Sequence, residues 1–465
     1  MFSIWQRLSL ENFLLHGWQD SSVLFAFVNR PLRRWRQSSF LMQWGDVIGA
    51  SIVSCVYLLA PFSSNDLLGI LLVCCAGFWL LLTLSDDSGV GVTPVHWMVL
   101  LYWCVATVAT AVSPVKKAAF SGWTKLTLYL IIFALLSRLL RSPRIRSWLI
   151  AVYLHAALVV SAYGIRQWFF KVEALATWTD PTSSTANVTR VYSYLGNPNL
   201  LAGYLVPAVA FSLAAFFVWR GWGPKLLALT MFLLNSGCLV LTYSRGGWIG
   251  FAVALLAMIL LLVLWFSVDF PPVWRRWGLP ATLGGLAAIL VVAVVLVEPV
   301  RDRIFSMFAG REDSSNNFRI NVWESVRQMI RAHPILGIGP GNVAFNQVYP
   351  LFMKPKFSAL SAYSIWLEVA VETGLIGFSC FIWLLVVTFN QARVQFLRLR
   401  DLRSVDAFWL MAAVASMLGM LSHGFVDTVW YRPEVSTLWW LVVGMIASFY
   451  SVRRRVVNKG EMEAG

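Results

Sequence analysis

Arg245 has the most unusual sequence setting of the residues in this chain that could bind or activate a substrate. It stands in a two-glycine turn, YSRGGW (243–248), between two long apolar runs. Placing a guanidinium in the membrane costs about 2.5–3.5 kcal/mol on insertion scales, so such a group normally has a partner or a function. Arginine also binds carboxylate or phosphate groups through two parallel hydrogen bonds. We therefore interpret Arg245 either as an anion-binding residue or as an interfacial arginine whose head reaches water.

Two further arginines stand beside residues that can hold or orient an anion. Arg319 and Trp323 are four residues apart, so they share one face of a predicted helix. That helix belongs to a polar stretch with an excess of basic residues, and clustered like charge needs a counter-charge. Arg190 precedes the sequence NPNLL, in which asparagines such as Asn199 can cap a helix or bind a ligand. The pattern predicts either an anion site that includes Arg190, Arg319 and Asn199, or a solvated basic face beside an ordinary helix cap.

Two pairs of titratable residues have helical spacing. Glu368 and Glu372 are four residues apart at the start of an apolar run. They are candidates for a base or a proton carrier, or for a salt bridge to a nearby arginine. His423 and Asp427 have the same spacing and are candidates for a general base or a structural hydrogen bond. We predict Glu368 as a catalytic candidate and His423 with Asp427 as a secondary site.

The sequence argues against a metal, a cofactor or a nucleic-acid partner. The six cysteines lie in apolar runs and form no CxxC or Cys/His motif, so we predict no metal site and no cofactor. The net charge of +15 would suggest nucleic-acid binding in a soluble protein. Here the basic residues follow the short loops on one side of a membrane, so we predict no nucleic-acid partner.

The elements that must position these residues are membrane helices. The chain is 58% hydrophobic and 13% charged, with 24 Trp and a mean hydropathy of +0.69. A soluble domain of this length needs more charge on its surface. Apolar runs of about 18–22 residues recur, and each is long enough to cross a hydrocarbon core as a helix. The predicted fold class is all-α: a polytopic membrane protein with about twelve transmembrane helices.

The positive-inside rule orders these helices and places both chain termini in the cytoplasm. The candidate site residues then fall on the opposite, external side, and several of them lie in or beside one long loop. Inside that loop, apolar residues at four-residue spacing predict a short helix over 317–331. The predicted segments are a cytoplasmic or interfacial N-terminal segment 1–43, nine transmembrane helices in 44–297, the long external loop 298–363, three transmembrane helices in 364–450 and a cytoplasmic tail 451–465.

Four stretches resemble the O-antigen ligase and polymerase superfamily of bacterial envelope proteins. They are NPNLLAGYL, YSRGGWIG, the block FRINVW…PILGIGPGNVAF and the run SAYSIWLEVAVETGLIG, in that order around one long loop. Within the superfamily the whole chain, including GREDSSNNFRINVW, resembles a cyanobacterial branch named for bicarbonate transport (inorganic-carbon transporter B). The resemblance extends over nearly all 465 residues.

The resemblance implies a twelve-helix enzyme of the bacterial inner membrane that moves a glycan from an undecaprenyl-diphosphate carrier to an acceptor. It implies that Arg245, Arg319 and, at a less certain position, Arg190 bind the diphosphate. The family also uses a histidine as base, in a motif that reads Ser-Ala-Tyr-Ser (361–364) here. Tyr363 stands at the histidine position, so the resemblance makes it a catalytic candidate beside Glu368. An unperturbed tyrosine has a pKa near 10 and is a poor base at neutral pH. Anion binding by the arginines does not depend on that histidine.

The sequence is therefore compatible with three functions. The first is an envelope glycan transferase, or a non-catalytic descendant, that binds membrane lipids and a glycan linked to undecaprenyl diphosphate. The second is a transporter or accessory protein for bicarbonate, which a basic external vestibule would concentrate. Transporters usually contain repeated halves and mid-membrane ionisable groups, whereas this sequence shows no repeats and few ionisable groups at mid-membrane positions. A binding or scaffold protein without catalysis is the third and plainest alternative.

Overall fold

The structure is a computed structural model that describes residues 5, 8–10, 23–85, 92–172, 189–296 and 298–451. Within these ranges all regular structure is helical, with no strand, as the sequence predicts. Most of the predicted N-terminal segment 1–43 before residue 23 lies outside the described residues, as does the predicted tail after residue 451. The α-helices are α1 Val23–Ser38, α2 Phe40–Gln43, α3 Gly45–Leu59, α4 Asn65–Leu84, α5 Pro94–Val112, α6 Lys116–Leu139, α7 Pro143–Phe169, α8 Pro198–Val218, α9 Trp222–Leu241, α10 Arg245–Phe266, α11 Pro272–Leu296, α12 Glu298–Phe308, α13 Ser314–Ala332, α14 Asn342–Val348, α15 Ile365–Asp401, α16 Ala407–His423 and α17 Pro433–Ser448.

Length and hydropathy make this a membrane protein with several spanning helices. Eight of the described helices, α4 to α10 and α15, are long and apolar enough to cross a bilayer. Their outward faces carry exposed aliphatic side chains such as Ile70, Val73 and Leu233, as expected where lipid replaces water. The helices α3 and α16 are apolar but shorter. The total of twelve spans and the side of the membrane that each end faces remain predictions.

The helix α8 is the centre of the bundle. Within its apolar window 78% of residues are buried, whereas the share is 28% for α9 and for α10. It packs against α7, α9, α10 and α16, and its N-terminal end carries the NPN sequence. The side chain of Asn197 caps this end, since its oxygen accepts from the backbone N–H groups of Asn199 and Leu200. A central helix with a fixed end is a stable platform for the loop that precedes it.

The helices α10 and α16 approach so closely that only glycine fits between them. A Cβ atom on Gly250 would lie 2.7 Å from the carbonyl oxygen of Gly419, and one on Gly419 would lie 2.7 Å from the carbonyl oxygen of Gly250. Small residues allow this kind of backbone contact in membranes, where apolar side chains gain little by leaving lipid. The contact fixes the N-terminal end of α10, which begins at Arg245, against the C-terminal end of α16, which ends at His423.

The segment 298–363 is more structured than the sequence predicts. The single short helix expected over 317–331 is present as α13 and begins earlier, at Ser314, but two further helices, α12 and α14, flank it. The helix α14 has only seven residues, too few for its periodicity to stand out in the sequence. Its apolar side, including Phe345 and Val348, packs with Val322 and Met329 of α13 in a small core separate from the main one. From residue 314 onward the segment therefore folds as a compact cap of helices, whereas α12 contacts α10 and α11.

The long helix α15 is broken near its start, and the break seats this cap on the bundle. Gly374 has a φ of +65° inside the helix, which separates 365–373 from 375–401. The chain 334–339 runs beside the break and donates backbone N–H groups from Ile338 to the Val371 carbonyl and from Gly339 to the Glu372 carbonyl. A Cβ atom on Gly374 would lie 2.2 Å from the Ile335 carbonyl oxygen, so glycine is required here.

Candidate anion-binding site

The sequence YSRGGW presents Arg245 at the start of α10. The hydroxyl of Ser244 caps the helix by accepting from the Gly247 N–H at 3.1 Å. The two glycines allow neighbouring helices to pack on this end: a Cβ atom on Gly246 would lie 2.6 Å from the ring of His423, and one on Gly247 would lie 2.4 Å from Ala202. The guanidinium is consequently held among packed helix ends, and Arg245 is 8% exposed.

Arg245 contacts the start of α13, which the chain reaches about 70 residues later. Its Nη2 lies 2.7 Å from Oδ2 of Asp313, and its Nη1 donates to Oδ1 of Asn316 at 2.8 Å. Asp313 is also the N-cap of α13, because its Oδ1 accepts from the Asn316 N–H at 2.9 Å. The sequence placed this cap among residues 314–317, one position or more too late. Asp313 thus fixes the helix start and balances one guanidinium with the same carboxylate.

Arg319, one turn further along α13, faces the same space. Its Nη1 donates to the hydroxyl of Ser315 at 2.9 Å, and its Nη2 lies 3.9 Å from Oδ2 of Asp427, at the far limit of an ion pair. Its Nε is buried and has no hydrogen-bond partner among the described residues. Trp323 on the same face donates from Nε1 to the Tyr363 carbonyl at 3.3 Å. This face of α13 packs inward and is not the solvated basic face that the sequence left open.

Arg190 is the third guanidinium of the group. Its Nε donates to the Thr242 carbonyl at 3.1 Å, and its Nη2 donates to Oδ1 of Asn199 at 3.2 Å. Burial, together with the nearby positive charges of Arg319 and Arg245, lowers the pKa of Arg190 to about 10. That mutual effect places the three guanidinium groups within electrostatic reach of one another. We call Arg190, Arg245 and Arg319 the arginine cluster.

Tyr363 lies at the edge of the arginine cluster in a strained conformation. Its φ is +50°, a left-handed value that costs a non-glycine residue about 1–2 kcal/mol. The ring meets Phe318 edge-on, with centroids 5.4 Å apart. Burial raises the pKa of the Tyr363 hydroxyl to about 12, and the charge of Asp427 contributes to the rise. The hydroxyl is therefore protonated at neutral pH, where it can donate a hydrogen bond but cannot serve as a base.

His423 and Asp427 are near neighbours of the cluster but do not form a hydrogen-bonded pair. His423 is fully buried, and neither of its ring nitrogens has a hydrogen-bond partner among the described residues. Asp427 accepts from the Thr428 N–H at 2.8 Å and faces Arg319. Both alternatives drawn from their spacing require contact between the two side chains. The structure therefore supports neither of them in this conformation.

Glu368 and Glu372 stand apart from the arginine cluster. Oε2 of Glu368 accepts from the Ala362 N–H at 2.6 Å and from the Thr428 hydroxyl at 3.4 Å. Oε1 of Glu372 accepts from the Gly341 N–H at 2.7 Å. In the part of the chain that the structure describes, no lysine or arginine forms an ion pair with either carboxylate, so the expected salt bridge is absent. Both residues line a cavity of about 150 Å³ behind the cluster.

The glycine turn 337–342 packs beside Glu372 and the cavity. Gly337, Gly339 and Gly341 all have positive φ, and the turn uses its N–H groups for α15, in particular for the carboxylate of Glu372. A Cβ atom on Gly341 would lie 2.6 Å from the Cα of Gly122 on α6. The turn is therefore a packed backbone element.

Two features of the site had little sequence signal. Arg245 contacts Asp313 and Asn316, which lie within the polar run DSSNN (313–317), where every residue could cap a helix. The cavity beside Glu368 is lined by aromatic residues such as Trp430 and Trp439, and nothing in the sequence distinguishes them from other membrane-facing side chains. Only the fold brings these residues together.

Comparison with known proteins supports a relationship for the middle of the chain. Residues 229–382 match the family model described as O-antigen ligase (Wzy_C). The matched segment contains Arg245, Arg319, Tyr363 and Glu368, whereas Arg190 contacts it from outside. No curated protein sequence matches the chain. The match and the apolar helices together indicate an O-antigen ligase-like membrane protein.

Proposed function

We propose that the arginine cluster binds the diphosphate group of a lipid-linked glycan. The observation that carries the proposal is the position of Arg319. Among the described residues its buried Nε has no hydrogen-bond partner, and the one carboxylate that forms an ion pair with it, that of Asp427, is 3.9 Å away. A guanidinium that is desolvated and incompletely paired favours an added oxyanion. Phosphate oxygens match its fork of N–H donors in geometry and charge.

The charges around the cluster support an anionic ligand. Three guanidinium groups face two carboxylates, those of Asp313 and Asp427, so the group carries an excess of positive charge. A diphosphate would supply the missing negative charge in an environment where burial strengthens each contact. The match of residues 229–382 to the O-antigen ligase family adds support, because both Arg245 and Arg319 lie inside it.

Transfer of the glycan would need a proton acceptor, and the cluster offers few. Tyr363 is protonated at neutral pH, and His423 is sealed among the ends of α8, α10 and α16. Asp427 is the remaining carboxylate beside Arg319 and the Tyr363 ring. We therefore propose diphosphate binding as the function of the cluster, with Asp427 as the residue that would accept a proton if transfer occurs.

Binding by the purified, full-length protein in lipid nanodiscs tests the proposal. A soluble short-chain prenyl diphosphate is titrated by calorimetry against the wild type and against Arg319→Ala. Loss of one charged hydrogen-bonding group costs about 1.5–3 kcal/mol, so affinity should fall roughly tenfold to a hundredfold. Arg327→Ala is the matched control, since Arg327 lies on the same helix and is exposed. Equal affinity of the wild type and Arg319→Ala would rule out the proposal.

The same experiment addresses bicarbonate, the other anion considered. If bicarbonate alone binds the cluster and the prenyl diphosphate does not displace it, inorganic-carbon binding replaces diphosphate binding as the function. Uptake of labelled bicarbonate by reconstituted vesicles would then separate transport from binding. Incubation with a lipid-linked glycan and a range of envelope acceptors, with and without Asp427→Asn, tests for transfer.

A further inference from the structure

A second site of different chemistry lies beside the arginine cluster. The cavity that Glu368 and Glu372 line has a volume of about 150 Å³, close to the size at which an engineered protein cavity accepts benzene. Seven of its twenty lining residues are aromatic, including Tyr102, Trp439 and Trp440. It is thus large enough for a small polar headgroup and too small for a whole lipid.

Two carboxyl groups, those of Glu368 and Glu372, lie together in the wall of this cavity. They are four residues apart on α15, both are bound to backbone N–H groups, and neither has a cationic partner among the described residues. Buried carboxylates without a counter-charge are costly, and the cavity itself could admit one. Aromatic ring faces add attraction for a cation, most of all for an ammonium group.

An unsatisfied donor in the cavity wall is a separate sign of a polar ligand. Trp439 is 1% exposed, and its Nε1 has no hydrogen-bond partner among the described residues. Trp430 also lines the cavity, and its buried Nε1 likewise has no hydrogen-bond partner among the described residues. Buried indole N–H groups usually find an acceptor, so a ligand here should carry oxygen atoms as well as a positive group.

The approach to the cavity has the opposite charge. A neighbouring hollow of about 190 Å³ shares Lys125, Tyr129, Asn342 and Tyr431 with the cavity, so the two adjoin. Lys125 is exposed, and Arg432, which lines only the outer hollow, is partly exposed. Arg432 is poorly neutralised, because the ion pair that it forms among the described residues, to Glu434, is 3.7 Å long. Lys125 therefore lies where the two hollows meet, Arg432 lines the outer hollow, and the two carboxyl groups line the inner cavity.

This arrangement selects for a dipolar ligand. A simple anion would meet two carboxylates inside, and a simple cation would pass two basic side chains at the entrance. A metal ion is disfavoured, because no group of three or more His, Cys, Asp or Glu suitable for a metal occurs in the described ranges.

We propose that the two hollows together bind a zwitterion with an ammonium group and a phosphate group. The ammonium lies between Glu368 and Glu372 against the aromatic walls, and the phosphate lies at Lys125 and Arg432. The headgroup of a zwitterionic phospholipid and a free phosphoethanolamine-type molecule share this chemistry. The site is distinct from the arginine cluster and does not depend on diphosphate binding there.

Calorimetry on the full-length protein tests the proposal in nanodiscs made only from phosphatidylglycerol, which contain no zwitterionic lipid. Phosphoethanolamine should bind at least tenfold more tightly than ethanolamine or inorganic phosphate alone. Glu368→Gln and Glu372→Gln should each weaken phosphoethanolamine at least tenfold. Lys125→Met should weaken phosphoethanolamine several-fold and leave ethanolamine unchanged. Arg245→Lys is the control, and it should leave phosphoethanolamine binding unchanged while weakening the prenyl diphosphate.

The outcomes separate the alternatives. Equal binding of phosphoethanolamine and either half alone would overturn the zwitterion assignment, as would unchanged affinity in both glutamine variants. If a glutamine variant loses its native melting transition, the exposed Lys125→Met variant decides, and no change there also overturns the assignment. A short-chain phosphatidylethanolamine that binds tighter than the free headgroup identifies a lipid as the source, and equal affinity identifies a soluble molecule.

Discussion

The arginine cluster and the carboxylate cavity lie on either side of residues 427 and 428, and they neutralise charge in different ways. Arg245 and Arg319 face the side-chain carboxylates of Asp313 and Asp427, which come from other helices or loops. Glu368 and Glu372 instead accept from backbone N–H groups. One region pairs opposite charges, and in the other two carboxyl groups are held by backbone N–H donors.

This difference determines whether the existing partners in each region can be replaced by a ligand. A carboxylate side chain can rotate away from an arginine, and an incoming phosphate can take its place without moving the backbone. The N–H of Gly341 belongs to a packed turn, so Glu372 cannot release it without disturbing the fold. We infer that the cluster adapts to its ligand, whereas the cavity is preformed.

Substitution of Gly341 by alanine should have the largest effect and should fall on the cavity. The added Cβ would lie 2.6 Å from the Cα of Gly122, and the residue has a φ of +99°. Overpacking and left-handed strain together should lower the free energy of unfolding by about 4 kcal/mol. Unfolding of the protein in mixed micelles with an increasing fraction of SDS measures this loss of stability.

Gly196→Ala is the matched control for that prediction. Gly196 also has a positive φ, of +68°, but nothing lies within 4 Å of its added Cβ. Only the strain remains, so the loss should be about 1 kcal/mol. Equal losses in the two variants would show that the turn is not packed as described.

Arg245→Ala should come next and should act on the cluster. It leaves the carboxylate of Asp313 without its partner at 2.7 Å in a largely buried position. Breaking such a pair should cost about 3 kcal/mol. The same SDS titration measures the loss, and adding Asp313→Asn should recover part of it, because the unpaired charge is removed. No recovery would contradict the pairing.

Glu372→Ala should cost less, because only a backbone donor loses its acceptor. The Gly341 N–H would be buried without a partner, which should lower the free energy of unfolding by about 2 kcal/mol. Glu372→Gln retains an acceptor oxygen and should cost less than about 1 kcal/mol. The ratio of the two losses, from the same titration, tests whether the carboxylate acts on the fold as an acceptor or as a charge.

The smallest effect is expected at an exposed pair on the cap, Lys354 with Glu324. The contact with Lys354 holds the pKa of Glu324 below its ordinary value of 4.5. Its contribution to stability is therefore present above pH 4.5 and is lost as the pH falls through the lowered pKa. The melting temperature of Lys354→Met should be slightly below that of the wild type at pH 7, and the difference should vanish in acid. Lys356→Met, at an exposed neighbouring lysine, should show no such pH-dependent difference.

The sequence predicted the membrane class and the placement of most helices. Runs such as α8 and α10 are recognisable because lipid selects each apolar segment separately. It also singled out Arg245 and Arg319, since a guanidinium near an apolar run is rare. It missed α14 and placed the cap of α13 too late, because short helices and N-caps in polar runs have several equivalent solutions. The roles of Arg245 and Arg319 as site residues remain predictions.

By itself, the sequence determined that this chain is a bundle of apolar helices with a polar segment between two of them, because hydropathy acts locally along the chain. Only the tertiary structure decided which charges meet. Asp313 reaches Arg245 across 68 residues, and Thr428 reaches Glu368 across 60. Such pairings depend on helix contacts like that of Gly250 with Gly419, where a single methyl group would not fit, and no local pattern encodes that distance.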